Sequence, residues 1–386
     1  MTSLERQDGN MYGGVREPAY GILTYTWGRW SSHDGPHIDI SGVSWRIPAV
    51  NEVEAFTVAE FQEVVRKMGE VNKFAWVDVA CIDQENNAVK MDEIGNQVGI
   101  FAKADSVFVW LWKLPAHSLQ AALDDIFYCS MYLQLGYREE LDRDLLTVLT
   151  QLKQSVDALL DDWWFTSLWT LQEGILRRDA LVLARDAQPI QYSQSENHAH
   201  VYTRFISNTL WNLRLALEDP FCSFKEPPYS HLSLHIVERI KKAGYATTPF
   251  ALNPNIQYAA AQFRKTSDSL DRIYGITSIY NLRVGASVPG SDISRHYTFE
   301  ELETEFAVAL NAKSPLLGQM FIHTDKSRET KTWQISQKSK VIMDLTDYRS
   351  EYQPSECCEI SGSSCEYAQV EGRFSLREIH FHPIIP

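Results

Sequence analysis

The sequence predicts an α/β fold built around a parallel β-sheet. Four short runs of aliphatic, β-branched and aromatic residues occur within the first half of the chain, and segments with apolar residues at helical spacing separate them. Strands that alternate with helices favour parallel pairing through right-handed crossovers. The four runs are residues 21–27 (GILTYTW), 73–79 (KFAWVDV), 105–112 (DSVFVWLW) and 180–184 (ALVLA).

Amphipathic helices are predicted between and beyond these strands. In the first of them, Phe61, Val64 and Met68 recur on one helical face. The chain is mostly helical from residue 192 to residue 280. From about residue 339 onward it is β-rich, with a polar loop at 355–364. The predicted helices cover residues 51–68, 88–103, 118–135, 141–160, 166–176 and 297–311.

These elements divide the chain into three parts. Residues 1–192 form an α/β domain with a three-layer core, and a helical insertion at about 115–162 follows its third strand. Residues 193–315 form a helical region packed on that domain. Residues 316–386 form a β-rich C-terminal segment.

The acidic charge balance argues against nucleic acid and anionic membranes as partners. The formal net charge is −14, and Lys and Arg do not form long runs. Binding to a phosphate backbone or to anionic lipids requires a basic surface that displaces counterions. We therefore expect neither partner.

The N-terminal residues and the apolar runs give no sign of export or membrane insertion. Residues 1–10 are polar and lack the apolar core of a signal peptide, and the most apolar run, 106–114, is too short to span a bilayer. Six cysteines in 386 residues do not make a disulfide framework. These features predict a cytoplasmic location.

The carboxyl ends of the predicted strands bring the candidate site residues together. In open parallel sheets, ligands bind in the crevice at this edge. We therefore expect a small-molecule site there. The first strand leads to Trp27, Gly28 and Arg29, the second to Asp78, Cys81 and Asp83, and the third to Trp112, while the helix after the insertion carries Trp169 and Glu173.

Four sequence blocks in this region resemble the heterokaryon-incompatibility (HET) domain family of filamentous fungi. They stand in the family's order and at plausible separations. The blocks are residues 23–28 (LTYTWG), which resemble LSYxWG; 76–84, which resemble WIDxxCIDQ; 90–111, which resemble the helix and strand that follow; and 169–173 (WTLQE).

The resemblance covers about residues 20–184, and a fainter likeness is present at 264–292. One position departs from the family pattern. Trp112 stands where the family usually has a glycine after the third strand, so a bulky ring replaces a flexible residue at the mouth of the expected site.

The HET family is in turn similar to TIR domains, so the resemblance implies a TIR-like (flavodoxin-like) sheet. In TIR enzymes, the glutamate of a WCxxE block is required to cleave NAD, and Glu173 lines up with it. Cleavage of the nicotinamide–ribose bond develops an oxocarbenium-like cation, which a carboxylate in a dry pocket stabilises. The resemblance therefore implies catalysis by Glu173, with Asp78 as a second acid, and NAD as substrate rather than as a required cofactor.

The remaining candidates are assigned to substrate binding. Trp27 or Trp112 offers a ring to stack on nicotinamide or adenine, and Arg29 offers a bidentate donor to a phosphate. Gly28, Cys81, Asp83 and Trp169 complete the predicted lining, and no metal site is expected.

Most of the candidates also have a purely structural interpretation. Glu173 can pair with Arg177 four residues later, and Asp78 can satisfy a backbone turn. Structural roles for the rest are core packing for Trp27 and Trp169, a solvated loop position for Arg29, and a small buried apolar role for Cys81.

Three functions follow from these interpretations. The first is a TIR-like NAD glycohydrolase that acts in non-self recognition or cell-death signalling. The second is a non-catalytic module that signals by self-association or by binding a receptor. The third is an enzyme on a HET-like scaffold that acts on a small aromatic or polycyclic metabolite. The expected partners are a nucleotide or aromatic metabolite and a second copy of the chain or a receptor.

Overall fold

The computed structural model is a mixed α/β structure in which short strands alternate with helices. It describes residues 1–26, 28–135, 145–192, 199–219, 227–245, 253–315, 317–324, 332–341, 359–361 and 364–366. The strands are β1 (Met11–Tyr12), β2 (Val15–Arg16), β3 (Tyr20–Thr24), β4 (Ser31–His37), β5 (Ala49–Val50), β6 (Phe74–Trp76), β7 (Ser106–Trp110), β8 (Leu181–Leu183), β9 (Ile322–His323), β10 (Ser339–Lys340), β11 (Glu359–Ser361) and β12 (Ser364–Glu366).

The helices cluster around the sheet and in the second half of the chain. The α-helices are α1 (Val58–Gly69), α2 (Asp78–Cys81), α3 (Asn87–Lys103), α4 (Ala116–Leu135), α5 (Leu145–Leu160), α6 (Leu168–Leu176), α7 (Thr203–Glu218), α8 (Tyr229–Lys242), α9 (Pro254–Ala261), α10 (Asp271–Thr277) and α11 (Phe299–Lys313). Short 3-10 helices cover Trp163–Phe165, Ser278–Tyr280, Gly285–Ser287 and Leu317–Gln319.

The central sheet contains four parallel strands in the order β6–β3–β7–β8. All four coincide with the runs that the sequence predicted as strands, so the prediction of a parallel sheet is confirmed. The first strand, β3, lies in the middle and pairs with β6 on one side and with β7 on the other. The chain therefore changes direction across the sheet after β6.

Both faces of the sheet are buried, because successive side chains point to opposite faces. Ile22, Val107 and Val182 face the first hydrophobic cluster, which also contains side chains of α4, α5, α7 and α8. Leu23 and Phe108 face the second cluster, which contains α1 and the β4–β5 pair. The sheet thus lies between two layers, as the sequence predicted.

A third hydrophobic cluster lies beyond the sheet. It joins α6 to α3, α9, α10 and α11 through side chains such as Leu168, Ile273 and Phe306. Helix α6 therefore packs into this third cluster on one side and approaches the sheet with its other side.

The structure differs from the sequence prediction at two places in the segment after β3. The first helix begins at Val58 rather than at residue 51, because Thr57 and Glu60 form a reciprocal capping box. The β4–β5 pair was missed because residues 31–37 (SSHDGPH) are polar and contain Gly and Pro, so they lack the alternation of a half-buried strand.

The described part of the C-terminal segment contains two short strand pairs beside the 3-10 helix Leu317–Gln319. Strands β9 and β10 pair antiparallel, and so do β11 and β12. The β11–β12 pair occupies part of the predicted polar loop at 355–364, so that prediction was wrong for these residues. The predicted domain limits at 192 and 315 stay predictions.

Among the helices that the structure describes, none is both long enough and apolar enough to cross a membrane.

Candidate functional site

Two acidic side chains meet at the carboxyl edge of the sheet. Asp78 is the first residue of α2, directly after β6, and Tyr25 is the first residue after β3. The Tyr25 hydroxyl donates to Asp78 Oδ1 at 2.8 Å, and the Val79 amide donates to the same oxygen at 2.7 Å. Neighbouring parallel strands thus place a phenol and a carboxylate in direct contact.

Glu173 approaches the same place from α6. Leu168 and Leu171 bury one side of the helix, and the Thr170 hydroxyl donates to the carbonyls of Trp164 and Ser167. These contacts hold the helix in one rotation about its axis. As a result, the Glu173 carboxyl group hydrogen-bonds the Thr24 hydroxyl and lies in the electrostatic field of Asp78.

Another contact fixes α6 along its length. Gln172 donates to the side-chain oxygen of Gln97 on α3, and its own side-chain oxygen accepts from the Ser278 amide at 3.1 Å. Both glutamines are buried. Because buried amides are costly to leave unpaired, this link resists sliding or rotation of the helix.

The Glu173 carboxyl group lies in a dry environment. The residue as a whole is partly buried, but its Oε2 atom is buried and has no hydrogen-bond partner. Burial raises the pKa of Glu173, the Thr24 hydrogen bond lowers it and the charge of Asp78 raises it, and together they bring it to about 8. An unpartnered buried carboxyl oxygen is rare in folded proteins, and it favours the protonated group.

Asp78 keeps more of its charge. Burial raises its pKa to about 6, while the hydrogen bonds from Tyr25 and Val79 lower it. At neutral pH the two acids together therefore carry about one negative charge, mostly on Asp78. The Tyr25 hydroxyl stays protonated, because burial and the neighbouring carboxylates raise its pKa well above 10.0.

Two residues of the site, Thr24 and Tyr25, were not predicted from the sequence. Both lie within the LTYTWG block, but the sequence favoured the Trp-Gly-Arg that follows. Tyr25 is also packed edge-on against Phe61, with ring centroids 5.6 Å apart, and Thr24 accepts a hydrogen bond from the Trp164 indole at 2.9 Å. Their place at the end of the first strand is the sequence signal that could have found them.

Gly28 and Arg29, in the loop after β3, have different surroundings. Arg29 donates to the Thr166 hydroxyl at 2.6 Å and to the Thr166 carbonyl at 3.3 Å, so its guanidinium links this loop to the chain just before α6. Gly28 has φ +79° and an exposed, uncrowded α-carbon. Trp27 lies outside the described residues.

Cys81 and Asp83 occupy structural positions at and after the end of α2. Burial raises the pKa of the Cys81 thiol to about 12, so the thiol stays protonated, which fits the small apolar role. Asp83 accepts from the amides of Glu85 and Asn86 at 2.9 and 3.1 Å. These contacts hold the Asp83 carboxylate in the turn that leads to α3.

The two predicted tryptophans are wall residues of different clusters. Trp112 is 3% exposed and packs edge-on against Trp163, with ring centroids 4.9 Å apart. Trp169 donates from its indole nitrogen to Asp271 at 3.1 Å and packs against the third cluster. Both rings therefore have packing partners of their own within the protein.

Glu173 does not form the helix-surface ion pair with Arg177 that is its structural interpretation. The Arg177 guanidinium instead binds Asp179 at 2.8 Å and the carbonyls of Phe101 and Ala104 at 3.0 and 2.7 Å. That interpretation of Glu173 was therefore wrong. Glu173 faces the sheet edge and not the helix surface.

Comparison with known proteins identifies one family. Residues 20–173 match the model of the family described as "Heterokaryon incompatibility protein (HET)". The match begins at the first residue of β3 and ends at Glu173, so it spans the elements that meet at the acid pair. A search of curated proteins and a search of solved structures each found no match.

Proposed function

We propose that this chain is a HET-type effector of non-self recognition or cell-death signalling, and that its Glu173–Asp78 pair cleaves the nicotinamide–ribose bond of NAD. The observation that carries the proposal is the Glu173 carboxyl group, whose Oε2 is buried without a donor beside a second acid. Such a group is costly to keep in a folded protein, so it favours a role with a ligand.

The positive charge that develops during NAD cleavage is complementary to the negative charge of this site. Cleavage breaks the bond between ribose C1′ and the nicotinamide nitrogen, and the bonding electron pair leaves with neutral nicotinamide. Water then adds to C1′, which yields ADP-ribose and one proton. The positive charge that develops on the ribose is stabilised by a carboxylate held in a dry site.

The two acids take different parts in this scheme. Asp78 is mostly ionised at neutral pH, since its pKa is about 6, and supplies the standing negative charge. Glu173 is protonated before the substrate binds, since its pKa is about 8, and it releases that proton to solvent when the cationic nicotinamide ring lies next to it. The carboxylate formed in this way accepts the proton of the attacking water.

The strand order supports a TIR-like sheet. The order β6–β3–β7–β8 places the second strand, the first, the third and the fourth side by side, which is the beginning of the flavodoxin-like order. In that topology the ligand crevice lies at the switch point, outside the ends of the first and third strands. Tyr25 and Leu111 follow those two strands here, and both are buried.

Access to Glu173 requires movement. Its Oε2 is buried, so a substrate reaches it only after the neighbouring side chains move aside. Assembly or a receptor that opens this edge would therefore switch the activity on. This property links the enzymatic proposal to the expectation of a second copy or a receptor as partner.

The direct test is nicotinamide release from NAD by the purified chain, measured alone and after enforced oligomerisation through a fused domain. Glu173→Gln keeps the shape of the side chain and removes its charge, and Asp78→Asn does the same for the second acid. Glu93→Gln is the matched control, since Glu93 is also a largely buried acid with a raised pKa, but it lies on α3 near Arg283.

We expect release in the oligomerised wild type and in Glu93→Gln, and its loss in Glu173→Gln. Equal release from Glu173→Gln and the wild type would remove Glu173 from the chemistry. No release from any form, at high protein concentration and under assembly, would overturn the glycohydrolase proposal.

The burial of the Glu173 carboxyl group also favours a second candidate function, a module that signals by association without catalysing a reaction. In this case the acid pair sets the pH range in which the edge opens. The two candidates differ in one result. Cell death that persists in Glu173→Gln while NAD cleavage is lost supports the association module.

A further inference from the structure

A cleft lined by arginine lies on another face of α6. Its volume is about 50 Å³, and it is bounded by α6, the start of α7, the loop after α8 and the residues after α9. Three of its lining residues are arginines, and no lining residue is acidic. The cleft is therefore positively charged, although the chain as a whole has a net charge of −14. The arginines are Arg178, Arg204 and Arg264.

Arg264 is buried without a counterion. It is 2% exposed, and its two terminal nitrogens donate to the carbonyls of Trp164, Ser167 and Ala243. Its Nε has no hydrogen-bond partner. In the described part of the chain, no carboxylate pairs with it. Burial lowers its pKa to about 10, which leaves it fully charged at neutral pH.

Carbonyl dipoles compensate only part of a buried charge. A buried cation without an anion is strongly unfavourable, and proteins normally provide a carboxylate or a ligand for it. Because Arg264 lines the cleft and has no counterion, an anion in the cleft would supply the missing negative charge.

The other sides of the cleft are also suited to an anion. Helix α7 begins there at Thr203, and its Thr203 and Arg204 amides already donate to the carbonyls of Ala180 and Arg178, so this 16-residue helix contributes only the partial positive charge of its N-terminus. Arg204 is exposed at the rim, and Arg178 is partly buried. The hydroxyl-bearing residues Ser207 and Tyr245 add neutral hydrogen-bonding groups.

The size of the cleft limits the ligand. A site for one water needs roughly 10–15 Å³, so the cleft has room for about four water-sized atoms. This is the size of a tetrahedral oxyanion. A whole nucleotide does not fit, but its phosphoryl group does if the rest extends through the open mouth.

We propose that this cleft binds a phosphate dianion, either as free phosphate or as the phosphoryl group of a small phosphate monoester, through Arg264, Arg178 and Arg204. The guanidinium groups match the oxygens of a phosphate in geometry and charge. The site is separate from the acid pair and does not depend on the proposed NAD cleavage.

The test is calorimetric titration of the purified chain with inorganic phosphate at constant ionic strength, with chloride as the reference anion. We expect saturable binding of one phosphate and none of chloride. Arg204 is exposed, so the Arg204→Gln substitution leaves the core intact. It should weaken phosphate binding about threefold. Arg178→Gln should weaken it about tenfold, as expected for a charge-assisted hydrogen bond.

Two controls make the outcome decisive. Arg46→Gln removes the same charge at an exposed position outside the cleft and should bind phosphate as the wild type does. Glu173→Gln should also bind normally, so a failed NAD assay leaves this result untouched. Phosphate binding no stronger than that of chloride overturns the proposal, as does binding that is unchanged in both Arg178→Gln and Arg204→Gln.

A second titration, with ribose 5-phosphate, distinguishes free phosphate from an organic phosphate monoester as the ligand. Binding at least tenfold tighter than that of inorganic phosphate identifies an organic monoester as the ligand. Equal or weaker binding identifies free phosphate.

Discussion

Helix α6 separates two buried ionisable groups, the carboxyl group of Glu173 and the guanidinium group of Arg264. On one side, Glu173 faces Asp78 and Thr24 with an unused acceptor oxygen. On the other side, Arg264 lines a cleft with an unused donor nitrogen. A direct ion pair would have compensated both, yet neither has its counterion within the described residues.

The residue between them explains the separation. The Trp164 indole donates to Thr24 on the acid side, and the same residue lines the arginine cleft and accepts from Arg264 through its carbonyl. A bulky ring and the body of the helix therefore insulate one charge from the other. The comparison teaches that the two groups differ in what would compensate them, a cation on the acid side and an anion on the arginine side, which is the basis of the two proposals.

The largest expected effect of a substitution on either side of α6 is on catalysis. Glu173→Gln should lower nicotinamide release about 100–1,000-fold, since one preorganised electrostatic contact contributes about 2.7–4 kcal/mol to the transition state. Phosphate binding should not change. Rate measurements paired with calorimetry on the same preparation check this separation, and a joint loss of both activities would contradict it.

The two sides should also differ in pH dependence. The Glu173 pKa is raised from 4.5 to about 8, so between these values the folded state keeps a proton that the unfolded state has released. The free energy of unfolding therefore falls as pH rises through that window, by up to roughly 5 kcal/mol. Asp78 acts in the same direction up to about pH 6. Arg264 contributes no slope there, because its pKa of about 10 lies above it.

Urea denaturation at several pH values checks this prediction. Glu173→Gln should flatten the decline between pH 5 and 8. The exposed Glu63→Gln is the control, because the pKa of Glu63 is lowered by Arg66 and not raised by burial. An equally steep decline in Glu173→Gln would show that the acid is not buried in solution.

Arg264→Met tests the arginine side by stability. The variant keeps an apolar stem of similar length but removes the donors to three buried carbonyls, so we expect a loss of about 2 kcal/mol in the free energy of unfolding. Phosphate should stabilise the wild type in the same denaturation experiment and leave the variant unchanged. Equal stabilisation of both proteins would place the phosphate elsewhere.

The smallest expected effect concerns Tyr25→Phe. Removing the hydroxyl takes one hydrogen bond from Asp78, which is worth about 1 kcal/mol and raises the Asp78 pKa by roughly one unit. Carboxyl chemical shifts followed against pH measure this change. Thr170→Val, which removes a hydroxyl from the other side of the same region, should leave the Asp78 titration in place.

Much of the core was predictable from local patterns. The four sheet strands and helices α3 and α6 match their predicted positions within a few residues, because buried parallel strands and amphipathic helices have strong periodicity. The β4–β5 pair was missed because residues 31–37 are held by tertiary contacts and not by a pattern of their own. Its partner strand is only two residues long.

The candidate site was predictable only in outline. The strand-end rule placed Asp78 and Glu173 at the same edge, and both do lie there. The rule did not distinguish Arg29, which binds Thr166, or Trp112, which packs in the core. Those outcomes depend on side-chain directions and on neighbours far away in the chain.

By itself, the sequence determined the class of fold, the order of its elements and the strand ends at which polar residues collect, because these follow from hydrophobic periodicity and chain connectivity. Tertiary structure alone decided which of these residues lost contact with water. It left the Glu173 Oε2 atom without a donor and assembled the arginine cleft from residues 178, 204 and 264. Burial and the electric field at a group are sums over the whole folded molecule, so no local segment of sequence contains them.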